Sequence, residues 1–253
     1  MNSRRLFVLW HAPQIVGFQS DRCFERDIVP KLKFSVDRFA PREGGYSRGA
    51  EGHELILQTA LSVLVEHGYQ AMTLRRIAAE CGLKAGHITY YFKSKDDLVR
   101  ALLQMIAGSY REAIEATAEN AGGDPEQKLK NLIRFILEDG RTKQTMFLFP
   151  ELWALANHDP FVKERVNEMY MPEHAYIETV VEEMNPALTA KDRQNVAALI
   201  LSSLEGIAVF AGYGKIWEDR MDSLEELACD CFVAFVKAMK PGDKVGAERL
   251  SIA

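Results

Sequence analysis

From Glu51 onward the chain keeps a helical alternation of apolar and polar positions. Leu57, Leu61, Leu64 and Val65 recur at helical spacing, and Gly68 is placed to stop that helix. Thr73 offers an N-cap, after which Leu74, Ile77, Ala78 and Cys81 repeat at i, i+3, i+4 and i+7. Gly82 breaks this second helix, and a short third one runs to about Phe92. Ser94, with Asp97 three residues on, opens a fourth whose apolar face is Leu98, Leu102, Met105 and Ile106. Asn120-Ala121-Gly122-Gly123 closes it, and Asp124-Pro125 opens the next with a cap and a first-turn proline. Later starts are marked by Asp159-Pro160, by Thr189 with Asp192, and by Ser223 with Glu226. Pro150 and Pro172 fall inside helical stretches and should kink or divide them. The pattern predicts an all-α protein of about nine helices with no strand.

Residues 1–48 show no sustained period and end in the linker-like Pro41-Arg42-Glu43-Gly44-Gly45, so they read as an N-terminal extension. Residues 49–98 form a three-helix unit, 99–240 a larger helical domain, and 241–253 a tail. In the first unit the second and third helices are joined by a tight turn containing glycine, which is the helix-turn-helix arrangement. On the third helix Ile88 and Phe92, with Ala85 nearby, share one face and should point inward. Gly86, His87 and Tyr90 lie opposite, flanked by Thr89 and Tyr91. Hydroxyls and an imidazole can bond phosphates and bases, and a glycine admits close approach, so this face suits a DNA groove. The bland reading, two tyrosines extending the core, is weaker for Tyr90 than for Tyr91, which sits nearer the face boundary.

The net charge of −5 looks wrong for a DNA binder until it is divided. Residues 1–41 carry +3, residues 42–112 carry +1 and residues 113–253 carry −9. The acidity therefore belongs to the C-terminal part, and a near-neutral reading unit can still bind phosphate if its cations cluster. With 47% apolar and 26% charged residues the chain has the composition of a globular protein. Cys23, Cys81, Cys229 and Cys231 lack metal spacing, no metal is expected, and the thiols read as reduced and buried. No run of eighteen apolar residues exists, so no membrane span is expected. Arg4-Arg5 before Leu6-Phe7-Val8-Leu9-Trp10 resembles a signal peptide, but His11, Pro13 and Gln14 interrupt it early.

Residues 55–105 resemble the DNA-binding module of the TetR family. The resemblance rests on Gly68-Tyr69, Thr73-Leu74-Arg75-Arg76-Ile77-Ala78, Cys81-Gly82-Leu83, and the run from Ala85 through Thr89-Tyr90-Tyr91-Phe92-Lys93-Ser94-Lys95 to Leu98. It implies that Thr73 is a phosphate-contacting cap and that Arg75 reaches a base or phosphate. It further implies that Tyr90 and Tyr91 grip phosphates and that Lys95 bonds one from the start of the fourth helix. Two positions depart from the family pattern. Lys84 stands where a small polar cap is usual, either adding a phosphate contact or simply solvated, and Thr89 stands where a tyrosine is common. The resemblance also implies a homodimer joined through helices near 190–212 and 223–239, with apolar stripes Val196, Leu199, Ile200, Leu204, Ile207 and Leu227, Phe232, Phe235, Val236. Those stripes would equally close the domain's own core. Expected partners are a pseudo-palindromic double-stranded operator DNA and a small-molecule effector, with no cofactor and a cytoplasmic location.

The region 146–176 is rich in large soft side chains. Met146, Phe149, Trp153, Tyr170 and His174, with Glu205 from the penultimate helix, are candidates for an effector pocket, against the alternative of plain core packing. Leu152-Trp153-Ala154 followed by Asp159-Pro160 resembles a subgroup of the family that includes a choline-responsive repressor. No Gly-x-Ser-x-Gly elbow, phosphate loop or His-Glu-x-x-His occurs, which disfavours an enzyme. The expected function is a sequence-specific transcriptional regulator, a repressor released by its effector. The alternative is a helical protein-interaction module that has lost specific DNA readout.

Overall fold

The computed structural model describes residues 47–242. The extension and tail expected at the two ends, and Cys23, lie almost wholly outside the described residues. Within them the chain forms nine α-helices and no strand. They are α1 (Ser47–Ala71), α2 (Leu74–Glu80), α3 (Ala85–Tyr91), α4 (Lys95–Glu119), α5 (Pro125–Asp139), α6 (Lys143–Ala156), α7 (Pro160–Met184), α8 (Ala190–Ala211) and α9 (Met221–Ala238). A single 3-10 turn, Glu218–Arg220, leads into α9.

Most starts obey the capping chemistry of the sequence. Thr73 accepts from the N3 amide of Arg76, Ser94 from Asp97, and Asp124 from Glu126. Asp159 accepts from two amides, and Thr189 with Asp192 closes a full capping box. Two expectations fail, the Ser223 start and the division of helices at Pro150 and Pro172. α9 starts at Met221 with Arg220 before it, so Ser223 lies in the first turn and caps nothing. α6 is opened by Thr142, which accepts from Thr145. Helices α6 and α7 run unbroken through Pro150 and Pro172, whose lost amide bonds are outweighed by tertiary packing on both sides.

α1 to α3 form a small reading head, and α5 to α9 form a larger body. α4, about 37 Å long by its residue count, joins them. Its first turns bury Leu98, Leu102 and Ile106, and its later turns bury Tyr110, Ala113 and Ile114. The body core is built by α7 lying between α6 and α8, with α5 packed on α7 and α9. α8 is long and apolar enough to cross a membrane by length and composition. One side of it, Val196, Ala197, Ile200, Leu201 and Leu204, is buried within the chain's own core. The stripe expected to bind a second copy is thus mostly internal, as are Cys229, Val233 and Val236 of α9. Cys231 is exposed, which corrects the expectation that the thiols are all buried.

Head and body meet at one corner. Gly68 interrupts α1 with φ 74° and ψ 169°, a conformation that excludes most side chains. The turn exposes the Tyr69 amide, which donates to the Glu151 carboxylate of α6 at 3.1 Å. A Cβ on Gly68 would stand 3.2 Å from the same carboxylate. Lys143 pairs with Glu66 one turn before the corner, and the Arg100 guanidinium covers the Phe161 ring at 4.0 Å to tie α4 to α7. A Gly68→Ala protein is expected to lose at least about 1 kcal/mol of stability. Chemical denaturation of parent and variant measures this directly, and an unchanged midpoint would show that the corner is not strained.

Candidate functional site

The reading face is built by α3, only seven residues long, held from behind. Ile88 and Phe92 are buried in the head core, and the Phe92 ring lies 4.9 Å from His53 of α1. Burial pulls the His53 pKa below its ordinary value and favours the neutral ring. Gly86, His87, Thr89 and Tyr90 face outward, Tyr90 at 84% exposure. An exposed tyrosine of that extent is not accounted for by packing. A Cβ on Gly86 would meet nothing within 4 Å, so the face is open at its first turn.

Tyr91 behaves differently. It is partly buried, stacks edge-on to Tyr90 at 5.3 Å, and its hydroxyl lies against Gly52 of α1, where a Cβ would come within 2.5 Å. Gly52 therefore makes room for the ring, and Tyr91 props up Tyr90. The Thr89 hydroxyl donates to the Gly86 carbonyl at 3.0 Å, so it is turned back on its own helix. Lys84 stands at the N-cap of α3 with no side-chain cap bond, and Arg75 projects outward from α2. Lys93 is a further exposed cation at the end of α3, overlooked in the sequence because it falls between the reading helix and the Ser94 cap. Lys95 is the surprise. Its ammonium donates to the Tyr69 carbonyl at 2.9 Å and lies 3.5 Å over the Tyr69 ring. Burial lowers its pKa, opposed by Asp96. Lys95 is thereby anchored to the corner that Glu151 holds, with its remaining donors directed by that anchor.

The second constellation lies inside the body. Phe149 is its centre, with ring centroids 5.5 Å from Tyr110, 6.0 Å from Trp153 and 6.3 Å from Tyr170. Three carboxylates join these rings. Asp139, at the end of α5, accepts from the Tyr110 hydroxyl at 2.5 Å and from Thr145 at 2.8 Å. Glu205 of α8 is hydrogen-bonded to Tyr170, whose hydroxyl accepts from the Trp153 indole at 3.0 Å. Glu173 of α7 is only 6% exposed and has no hydrogen-bond partner among the described residues. Burial first, then the charges of Glu205 and Asp139, push its pKa up to about 8. Burial likewise raises Glu205 to about 7 and Asp139 to about 6, in each case opposed by the hydroxyls they accept from.

Of the six expected pocket residues, the structure gathers Phe149, Trp153, Tyr170 and Glu205. Met146 is buried, with its sulfur against Gly212 at the end of α8. His174 belongs elsewhere: it bonds Glu178 at 2.8 Å and the Gln194 carbonyl at 3.2 Å on the outer α7–α8 seam. The sequence reading missed Tyr110, Asp139, Thr145 and Glu173. Glu173 carried a usable signal, since it lies on one helical stripe with the buried Met169, Ile177 and Val180. A separate groove of about 480 Å³ runs between α1 and α6, lined by Gln58, Leu61, Val65, Glu66, Lys143 and Gln144.

A three-helix reading head carried on a helical body defines the class of helix-turn-helix DNA-binding regulators. Residues 56–102 match the model of the bacterial regulatory proteins of the tetR family, and residues 125–230 match that of the BetI-type transcriptional repressor C-terminal domain. An uncharacterized HTH-type transcriptional regulator from the dhlA 5′ region of Xanthobacter autotrophicus is 28% identical over 182 residues, covering 70% of this chain and 87% of the relative. The HTH-type transcriptional regulator BetI of Stenotrophomonas maltophilia is 28% identical over 108 residues, 42% of this chain and about half (55%) of that protein. A solved transcriptional regulator from Saccharomonospora viridis, in complex with choline, has the same fold with a TM-score of 0.57 at 19% identity, covering 72% of this chain and 95% of that one. The chain belongs to the TetR family of transcriptional regulators. It is a DNA-binding regulator, and the relatives found are likewise regulators of transcription.

The carboxylate cluster makes stability depend on pH with a definite sign. Glu173 has its ordinary value of 4.5 unfolded and about 8 folded, so its contribution is fully present below about 4.5 and is lost as pH rises through about 8. Replacing it by glutamine removes that dependence. The melting temperature of Glu173→Gln should exceed the parent's by more at about pH 9 than at about pH 5. Equal differences at both pH values would show that Glu173 is not held protonated by its surroundings.

Proposed function

We propose that this chain is a homodimeric repressor that is released from DNA when a small molecule enters the Phe149 cluster. The observation that carries the DNA half is the outward face of α3: Gly86, His87 and an 84%-exposed Tyr90, bordered by the cations Arg75, Lys84 and Lys93. The two heads of a dimer would sit about 34–36 Å apart, or at a related spacing, on a pseudo-palindromic operator. Thr73, Tyr90 and Lys95 would hold phosphates while Arg75 and His87 reach toward base edges, with Tyr91 supporting Tyr90.

Dimerisation is supported by what α8 and α9 leave uncovered. Leu199, Gly206 and Phe210 line one outer face of α8, and Leu227, Cys231 and Ala234 line the adjoining face of α9. Large apolar residues flanking small ones permit close helix approach, and a two-fold operator requires two copies. The effector half rests on a buried group of aromatic rings and carboxylates, and the choline bound by the Saccharomonospora viridis regulator occupies the same fold. α6 would link the two halves. Phe149 and Trp153 face the cluster, while Glu151 and Lys143, on the other side, hold α1. A ligand that moves α6 then shifts the head by the difference in its affinity for the two arrangements, typically about 1–3 kcal/mol. A DNA-binding protein of this kind works in the cytoplasm.

Fluorescence anisotropy on DNA from the gene's own upstream region, against a scrambled duplex at the same near-physiological salt, tests this reading. Two chains per duplex and a preference of about a thousandfold are expected, lost in Tyr90→Ala at unchanged melting temperature. Equal, steeply salt-dependent binding to both duplexes would favour an interaction module that no longer reads sequence.

A further inference from the structure

Three carboxylates from three helices share one interior with four aromatic rings. The charges that act on Glu173 are those of Glu205 and Asp139, and the charge that acts on Glu205 is that of Asp139; among the described residues no lysine or arginine offsets them. Asp139 accepts two hydroxyl hydrogens and Glu205 is bonded to Tyr170. Glu173, more than nine-tenths buried, accepts none among the described residues. A buried carboxylate left in that condition is costly unless something arrives to complete it.

The chemistry of what completes it is narrow. The occupant must be cationic, since it replaces protons on carboxylates that repel one another. It must carry N–H donors, because a quaternary ammonium brings charge and no hydrogen to bond the Glu173 oxygens. A single positive charge would displace the proton of one carboxyl only and leave the other two to share the protons that remain. Phe149, Tyr110, Trp153 and Tyr170 offer faces to an ammonium and apolar area to the methylenes between ammonium groups. No group of three His, Cys, Asp or Glu among the described residues is arranged to hold a metal ion, so an extended organic cation fits better than a point charge.

We propose that the Glu173 cluster binds a linear organic polycation of the diamine or polyamine class, one ammonium on Glu173 and a second on Glu205 or Asp139. This inference rests on the reading of the body as an effector-binding domain and narrows its ligand. It distinguishes this chain from a binder of simple quaternary ammonium ions. The five helices α4 to α8 each supply a side chain to the cluster, so a ligand seated there draws on all of them, α6 included.

The test is calorimetry and thermal shift on the full chain without DNA, because polyamines displace proteins from DNA nonspecifically by competing for phosphate. Spermidine and 1,5-diaminopentane are compared with choline at about pH 8 and near-physiological salt. The expected result is that at least one of the two amines binds about tenfold or more tightly than choline, and that Glu173→Gln weakens that amine by about tenfold or more. Glu205→Gln is the second variant, read in the same way if Glu173→Gln does not fold. Choline binding as tightly as the amines, amine binding undiminished in the variant, or no binding of either amine would each overturn the proposal. Operator binding is measured on the same sample. Specific binding with no amine response refutes the polycation alone, whereas an amine response without specific DNA binding refutes the regulator reading alone.

Discussion

Gly68 turns the chain out of α1 with a positive φ, and the amide it bares is taken by a carboxylate 82 residues further on. On that bond between Tyr69 and Glu151 depends the placing of the head on the body. The same residue, Tyr69, offers its carbonyl and its ring to Lys95, so the amide and the carbonyl of one residue carry contacts to body and head in turn. Body and reading head are thus joined by polar bonds with directions, as well as by the apolar seams of α1 on α6 and α4 on α7. Apolar seams tolerate sliding. A hydrogen bond of about 3 Å does not, which suits a joint that holds the three-helix head in one orientation on the body.

The interior cluster is the complementary constraint. A core that buries three carboxylates without a compensating cation is less stable than an apolar one of the same volume, and a protein retains such a feature where the polar groups have a task. Here the surrounding hydroxyls satisfy Asp139 and Glu205 partly and Glu173 not at all. The cluster also sits against α6, whose far side carries Glu151. The interior cluster and the Glu151 anchor of the head therefore meet on one fourteen-residue helix.

The helices were legible in the sequence because each rule that marks them is local. Thr73, Ser94, Asp124, Asp159 and Thr189 act on amides two or three residues away, and all five do so in the structure. Which face of α3 turns outward was legible for the same reason, since burying Ile88 and Phe92 leaves few choices for the other side. What escaped was tertiary. Lys95 had to be seen beside Tyr69 before its anchoring appeared, and Gly52 explained Tyr91 only once α1 lay across it. Pro150 and Pro172 broke nothing because packing overrode a local penalty. His174 shared composition with the cluster but faces the outer seam, while Asp139 and Glu173 come from helices whose meeting no periodicity reveals.

The measurement that bears most directly on the joint is a double-mutant cycle on operator affinity with Glu151→Gln and Lys95→Ala. If Glu151 acts on DNA binding through the Tyr69 corner and Lys95, its substitution weakens the operator complex in the parent and much less in the Lys95→Ala background, leaving a coupling of about 0.5 kcal/mol or more. The same factor of weakening in both backgrounds would contradict the account, because head and body would then contribute to DNA binding independently.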